Sequence, residues 1–191
     1  MSARKNIKKP LWALMLIGGL ALAACAQPEV PRDQFYRLVA AKPEQSAPNV
    51  FSGILQIDRF VADGLTAGRP IVFSISGRQH QLQEYHYHFW TQAPTIMLRD
   101  ELVAYLRQAK VAPSVVTPDM RVAANYVISG KIRRLERVDG PPTRSVVELE
   151  LAVRRIKGEK LLLLRTYRDE VQTADSTVSA TVDALNASLN K

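Results

Sequence analysis

Residues 145–154 read SVVELELAVR, and this stretch decides the fold. Val147, Leu149, Leu151 and Val153 alternate with Glu148, Glu150 and Arg154. A period of two belongs to an extended chain with one dry face and one wet face. On its N-terminal side, Asp139-Gly140-Pro141-Pro142 marks a turn, preceded by Asn125–Val138 with Tyr126, Ile128, Gly130 and Ile132 on one face. On its C-terminal side, Lys157-Gly158-Glu159 marks another turn, followed by a strand over Leu161–Val171. Three long strands joined by short turns predict an antiparallel meander.

A helix follows the meander. Asp175 is placed to cap it, and Val178, Val182, Leu185 and Leu189 form its apolar stripe. Ahead of the meander, Thr95–Ala109 repeats Leu98, Leu102, Tyr105, Leu106 and Ala109 at helical spacing, with Pro94 just before it and Pro113 just after. Shorter extended segments come first: Phe35–Ala40, the β-rich run Val50–Val61, then Pro70–Ser76 and Gln79–Trp90 joined at Gly77-Arg78. In the last of these, Tyr85, Tyr87 and Phe89 alternate with Glu84, His86 and His88. The order is strands, helix, long strands, helix. It predicts an α+β fold: an antiparallel or mixed β-sheet with both main helices packed on one face.

The N-terminus is a different kind of segment. Arg4, Lys5, Lys8 and Lys9 precede an uncharged apolar run, Leu11–Ala24, too short for the roughly 20 residues of a spanning helix and typical of a secretory signal. It ends Leu22-Ala23-Ala24-Cys25, which resembles a bacterial lipobox, with the chain's one cysteine in the position that is acylated before cleavage. Residues 1–24 are read as a lipoprotein signal peptide, residues 25–34 as the acylated Cys25 and a Pro-bearing tether, and residues 35–191 as a single domain. Lipoproteins of this type carry three acyl chains, palmitate among them, and several chains anchor firmly where one binds reversibly. Ala26, rather than Asp, after the cysteine resembles sequences sorted to the outer membrane.

Charge and chemistry exclude several classes. The formal charge is +8, but without the four cations of the signal the basic count falls from 26 to 22 against 18 acids. That modest balance argues against nucleic acid as a partner. One cysteine excludes a disulfide framework and a cysteine-built zinc site. His80, His86 and His88, with Glu84, raise a metal reading, but two histidines two apart on a strand make no site without further converging ligands. Ser74-Ile75-Ser76-Gly77 lacks the nucleophile elbow, and Glu148 and Glu150 read as the solvated face of their strand. No cofactor is expected. Lys131, Arg133, Arg134 and Arg137, with Arg154, Arg155 and Lys157, form a basic cluster suited to an acidic partner or anionic headgroups.

Four features together resemble a known family. They are the lipobox followed by Phe35-Tyr36-Arg37-Leu38, the run Ile57-Asp58-Arg59-Phe60, the aromatic segment Glu84–Trp90 before Ala93-Pro94 and a helix, and Tyr126-x-Ile128-x-Gly130-x-Ile132 leading a meander and a small-residue-rich final helix. The chain is similar in these respects to the PqiC-like ABC-type transport auxiliary lipoproteins, which accompany MCE-type lipid transport systems. Phe89 and Ala93 depart from the Arg before Trp and the residue before Pro that many relatives carry. The resemblance implies a non-enzymatic lipoprotein on the periplasmic face of the outer membrane. Its implied partners are the membrane through the acyl chains, an MCE-domain protein of the same system, phospholipid, and further copies of itself in a ring. Tyr85, Tyr87, Phe89 and Trp90 are the candidate partner or subunit contacts. The rival is a periplasmic regulator lipoprotein that activates a cell-wall synthase. Such a regulator needs a long reach, whereas Cys25 to Phe35 spans at most about 36 Å fully extended.

Overall fold

The structure is a computed structural model that describes residues 30–48 and 50–191. The signal reading of residues 1–24, Cys25 and most of the tether lie outside the described residues. Every described strand, both described helices and the core they enclose fall inside one compact unit, Asp33–Lys191, so this span carries its own fold.

Among the described residues, nine strands and two helices make an α+β fold around one mixed sheet. The strands are β1 (Gln34–Tyr36), β2 (Ile54–Ile57), β3 (Val61–Ala62), β4 (Pro70–Ile75), β5 (Gln83–Trp90), β6 (Ser114–Val116), β7 (Tyr126–Asp139), β8 (Arg144–Arg155) and β9 (Lys160–Gln172). The helices are α1 (Pro94–Gln108) and α2 (Val178–Leu189).

Strand β7 is the hub. One edge pairs antiparallel with β8, which pairs in turn with β9, giving the meander expected from the alternation. The other edge takes three parallel partners end to end: β2 along residues 126–128, β3 along 131–132 and β4 along 136–139. Strand β5 continues the sheet beyond β4, with β1 beyond it, and β6 lies outside β2. The single apolar run Val50–Val61 thus becomes two short strands. Between them Phe60 crosses β7 at Gly130, where an added Cβ would stand 2.7 Å from the Phe60 ring.

The core lies between the sheet and the helices. Leu98 and Val103 of α1, Val182 and Leu185 of α2, and Leu55, Ile57, Ile128, Ile132, Leu135 and Val147 of the sheet form one buried cluster. Both helices share a sheet face, since side chains of each line the same cleft over Leu149 and Leu151 of β8. A one-residue bulge in β7, between Ile132 and Arg134, changes which residues point inward: Ile128 and Ile132 before it, Leu135 after it. The change leaves Arg137 buried beneath the start of α2, where it donates to Ser176 O at 2.7 Å and pairs with Asp139. The α2 cap is Thr177, whose hydroxyl accepts from Ala180 N–H at 3.1 Å, and not Asp175, whose carboxylate accepts from Thr177 N–H at 2.7 Å. Asp175 closes the turn that precedes the cap.

Candidate partner-binding surface

The far face of the meander is a lattice of ion pairs. Arg133 meets Glu150 at 2.7 Å, Arg144 meets Glu170 at 3.3 Å, Arg168 meets Glu148 at 3.3 Å, and Arg134 pairs with the buried Glu136. Glu148 and Glu150 are therefore the arginine-paired side of their strand and not a carboxylate dyad. Hydrogen bonding from Arg168 holds the Glu170 carboxyl below its ordinary range. The first half of the basic cluster is consumed here and nearby, with Lys131 on Asp63 at 2.6 Å.

The aromatic segment is less regular than its sequence. Pro70 faces Phe89 while Val72 faces Glu84, so β5 advances five residues where β4 advances two. The extra residues break the expected separation of faces. Tyr85 turns onto Phe73 at 4.6 Å between ring centroids and meets His88 edge-on at 5.4 Å. It is half-buried, and burial raises its phenol above the ordinary range, ahead of the opposing effects of Arg137 and Asp139. Trp90 is 1% exposed and belongs to the core, which removes it from the set of surface contacts. Phe89 is partly covered by Phe35 of β1, at 5.9 Å between ring centroids.

What remains at the β1–β5 edge is a patch built on Phe35 (55% exposed) and Tyr87 (38% exposed), with Arg69 5.6 Å over the Phe35 ring. Tyr36 lies on the same edge. Its hydroxyl donates to Gln34 Oε1 at 2.6 Å and meets His88 Nδ1 at 2.9 Å. Partial burial raises the Tyr36 phenol and lowers the His88 imidazole. His80 and His86 are exposed, and no cluster of metal-binding side chains forms among the described residues. Sequence reading assigned Phe35 to a strand without seeing its exposure. Its partner strand lies some fifty residues away, and a parallel pairing leaves no local signal.

A second concavity lies between the helices. It has a volume of about 220 Å³, and Phe60, Leu98, Leu102, Tyr105, Leu149 and Leu189 line it. At its edge Glu101 accepts from the Ala40 N–H at 2.8 Å. The lining suits apolar groups and offers no convergent catalytic set.

A family model described as the ABC-type transport auxiliary lipoprotein component matches residues 36–191. A search of curated proteins gives no significant match. Among solved structures, a Xanthomonas campestris protein of the DUF330 family aligns at 19% identity over 82% of this chain and 88% of that chain, with a TM-score of 0.70. A second crystal structure, of an uncharacterized protein, aligns at 14% identity over 83% and 92%, with a TM-score of 0.64. At such identities the likeness is one of fold.

Proposed function

Because the chain belongs to the family of ABC-type transport auxiliary lipoproteins, we propose that it is the lipid-anchored, non-catalytic accessory of an MCE-type lipid transport system. In this reading acylated Cys25 holds it to the periplasmic face of the outer membrane. The domain docks the MCE-domain protein that reaches across from the inner membrane, where the transport ATPase supplies the energy. Copies of the chain assemble as a ring that receives that partner.

The observation that carries the docking role is the exposed aromatic edge of Phe35 and Tyr87. Large aromatics in an otherwise polar rim are the residue type that concentrates binding energy at interfaces. A ring would bury the edge by one repeated heterologous contact. The short step from Cys25 to Phe35 supports a domain working beside its own membrane, which favours the transport accessory over the cell-wall synthase regulator.

A photo-crosslinker at Tyr87 of the full chain, activated in intact envelopes, tests this. The expected adducts are a second copy and the MCE-domain protein. Adducts with a cell-wall synthase alone would move the assignment to the rival. Light scattering on a chain beginning at Ala26, with and without Tyr87→Asp, tests assembly separately, and a wild-type chain that stays monomeric at high concentration refutes the ring.

A further inference from the structure

Beyond buried Val153, the end of the β8–β9 hairpin is exposed, and β9 is its open edge. The turn Ile156–Glu159 closes with Glu159 N–H donating to Ile156 C=O at 3.0 Å, and Gly158 and Glu159 take left-handed φ values of 78° and 48°. Just past the turn the pairing slips. Val153 faces Leu163 but Arg154 faces Leu161, so Leu162 is an extra residue in β9. The four consecutive leucines therefore do not share one face. Leu163 lies with Val153, and Leu164 lies with Ala152 on the opposite face. All four are exposed, Leu161 at 53% and Leu164 at 60%, and Ile156 is exposed beside them. Such a run on a long edge strand is costly in water and is an invitation to pair or insert.

The surrounding charge is one-sided. Arg154, Arg155, Lys157, Lys160 and Arg165 stand against Glu159 alone. Among the described residues, none of these five cations takes part in an ion pair. The contrast with β7 is direct, where Lys131, Arg133, Arg134 and Arg137 each hold a carboxylate. Of the two basic stretches, 131–137 is neutralised by carboxylates and 154–165 is not, and the second coincides with the bare leucines.

We propose that residues 154–165 form a membrane-surface contact. Leu161–Leu164 enter the boundary between headgroups and acyl chains of an anionic phospholipid bilayer, while Arg154, Arg155, Lys157 and Lys160 bind the phosphates above. A bilayer takes in an exposed sheet edge from both of its sides without the shaped groove that a partner protein would need. A second copy would bring the same unpaired cations against these. With the open edge β9 lowermost, Arg154 and Arg155 of β8 stand one strand spacing, about 5 Å, above the leucines, within the roughly 5–10 Å depth at which interfacial segments sit. Long basic stems reach back to the phosphate layer from such a depth. The contact is reversible and independent of acylation, so it goes beyond the docking role proposed above.

The test is vesicle flotation of a chain beginning at Ala26, which keeps the whole compact unit and has no acyl anchor. Vesicles of phosphatidylethanolamine with phosphatidylglycerol are compared with pure phosphatidylcholine. The expected result is flotation with the anionic vesicles only, lost in high salt. Arg154→Glu, Arg155→Glu, Lys157→Glu and Lys160→Glu together should weaken binding by about a thousandfold or more. Leu162→Ser with Leu164→Ser should weaken it by at least about tenfold. Because Cys25 is the chain's one cysteine, Leu162→Cys gives a single labelling site. An environment-sensitive dye there should shift to the blue and be quenched by a lipid-borne nitroxide. A folded wild-type chain that fails to float, or that binds both vesicle types equally, overturns the proposal, as does burial of the dye by self-association without vesicles. Each of these results leaves the Tyr87 crosslinking and the accessory reading standing.

Discussion

Gly130→Ala isolates the crossing of Phe60 over β7. The new methyl would stand 2.7 Å from two Phe60 ring carbons and 2.8 Å from a third, inside the contact distance of any real Cβ, and Phe60 is itself only 3% exposed. Alanine in a strand recovers about 0.5–1 kcal/mol of the backbone entropy that glycine loses. Overpacking a filled core costs about 1–3 kcal/mol. The net expectation is a destabilisation of about 1–2 kcal/mol, or a fall in Tm of about 2–8 °C for a domain of this size. Phe60→Ala alone should cost about 3–5 kcal/mol. In that background the methyl meets empty space, so Gly130→Ala should become neutral or stabilising, a coupling of about 1–3 kcal/mol. Urea melts of the chain beginning at Ala26 read this directly, because Trp90, buried in the core, is then the sole tryptophan and reports the transition. A wild-type midpoint for Gly130→Ala, or two changes that add within about 0.5 kcal/mol, would refute the crossing.

Two further outcomes are expected. Cys25→Ser should abolish incorporation of a fatty-acid label and leave the precursor unprocessed, and unchanged labelling would sink the lipoprotein reading. For pH, the Glu170 carboxyl is held below its ordinary range by Arg168, so on acidification the unfolded chain takes up this proton first. Its stabilisation is complete above the ordinary glutamate pKa of about 4.3 and is lost as pH falls through the lower folded value. Glu170→Gln should flatten the acid limb of the stability curve, and an unchanged slope would remove the ion pair from that account.

The meander was legible because its alternation is local: each residue of SVVELELAVR declares its own face. The same logic misled at β5. Tyr85, Tyr87 and Phe89 alternate cleanly in sequence, yet pairing with β4 inserts extra residues between Glu84 and Phe89, and the strand's faces follow its partner rather than its letters. Trp90 shows the matching lesson, since it is buried in the core cluster while Tyr87, three residues before it in the same strand, is exposed. Asp175 and Thr177 are both capping residue types two positions apart, and only the backbone path selects the second. At the candidate surfaces, the resemblance pointed toward the aromatic segment, but the exposure of Phe35 and the slip that bares Leu161–Leu164 arise from pairings that no window of sequence contains.

The placing of β7 governs how the chain reaches its native state. Strands β1, β5 and β4 form one ribbon, and β2 with β6 form another. Among the described strands, only β7 joins them, and through it both reach β8 and β9. In the lipoprotein reading proposed above, the chain is exported N-terminus first, and both ribbons are then delivered before residue 126 arrives. Until then they are fragments with open edges. Sequence-distant, parallel pairings of this kind form slowly, and unpaired edges are where chains associate wrongly. The interval before β7 emerges is therefore when this protein most needs a holding chaperone. Once β7 closes, the sheet becomes a single cooperative body, and an unfolding event that frees this one strand separates it again into its parts.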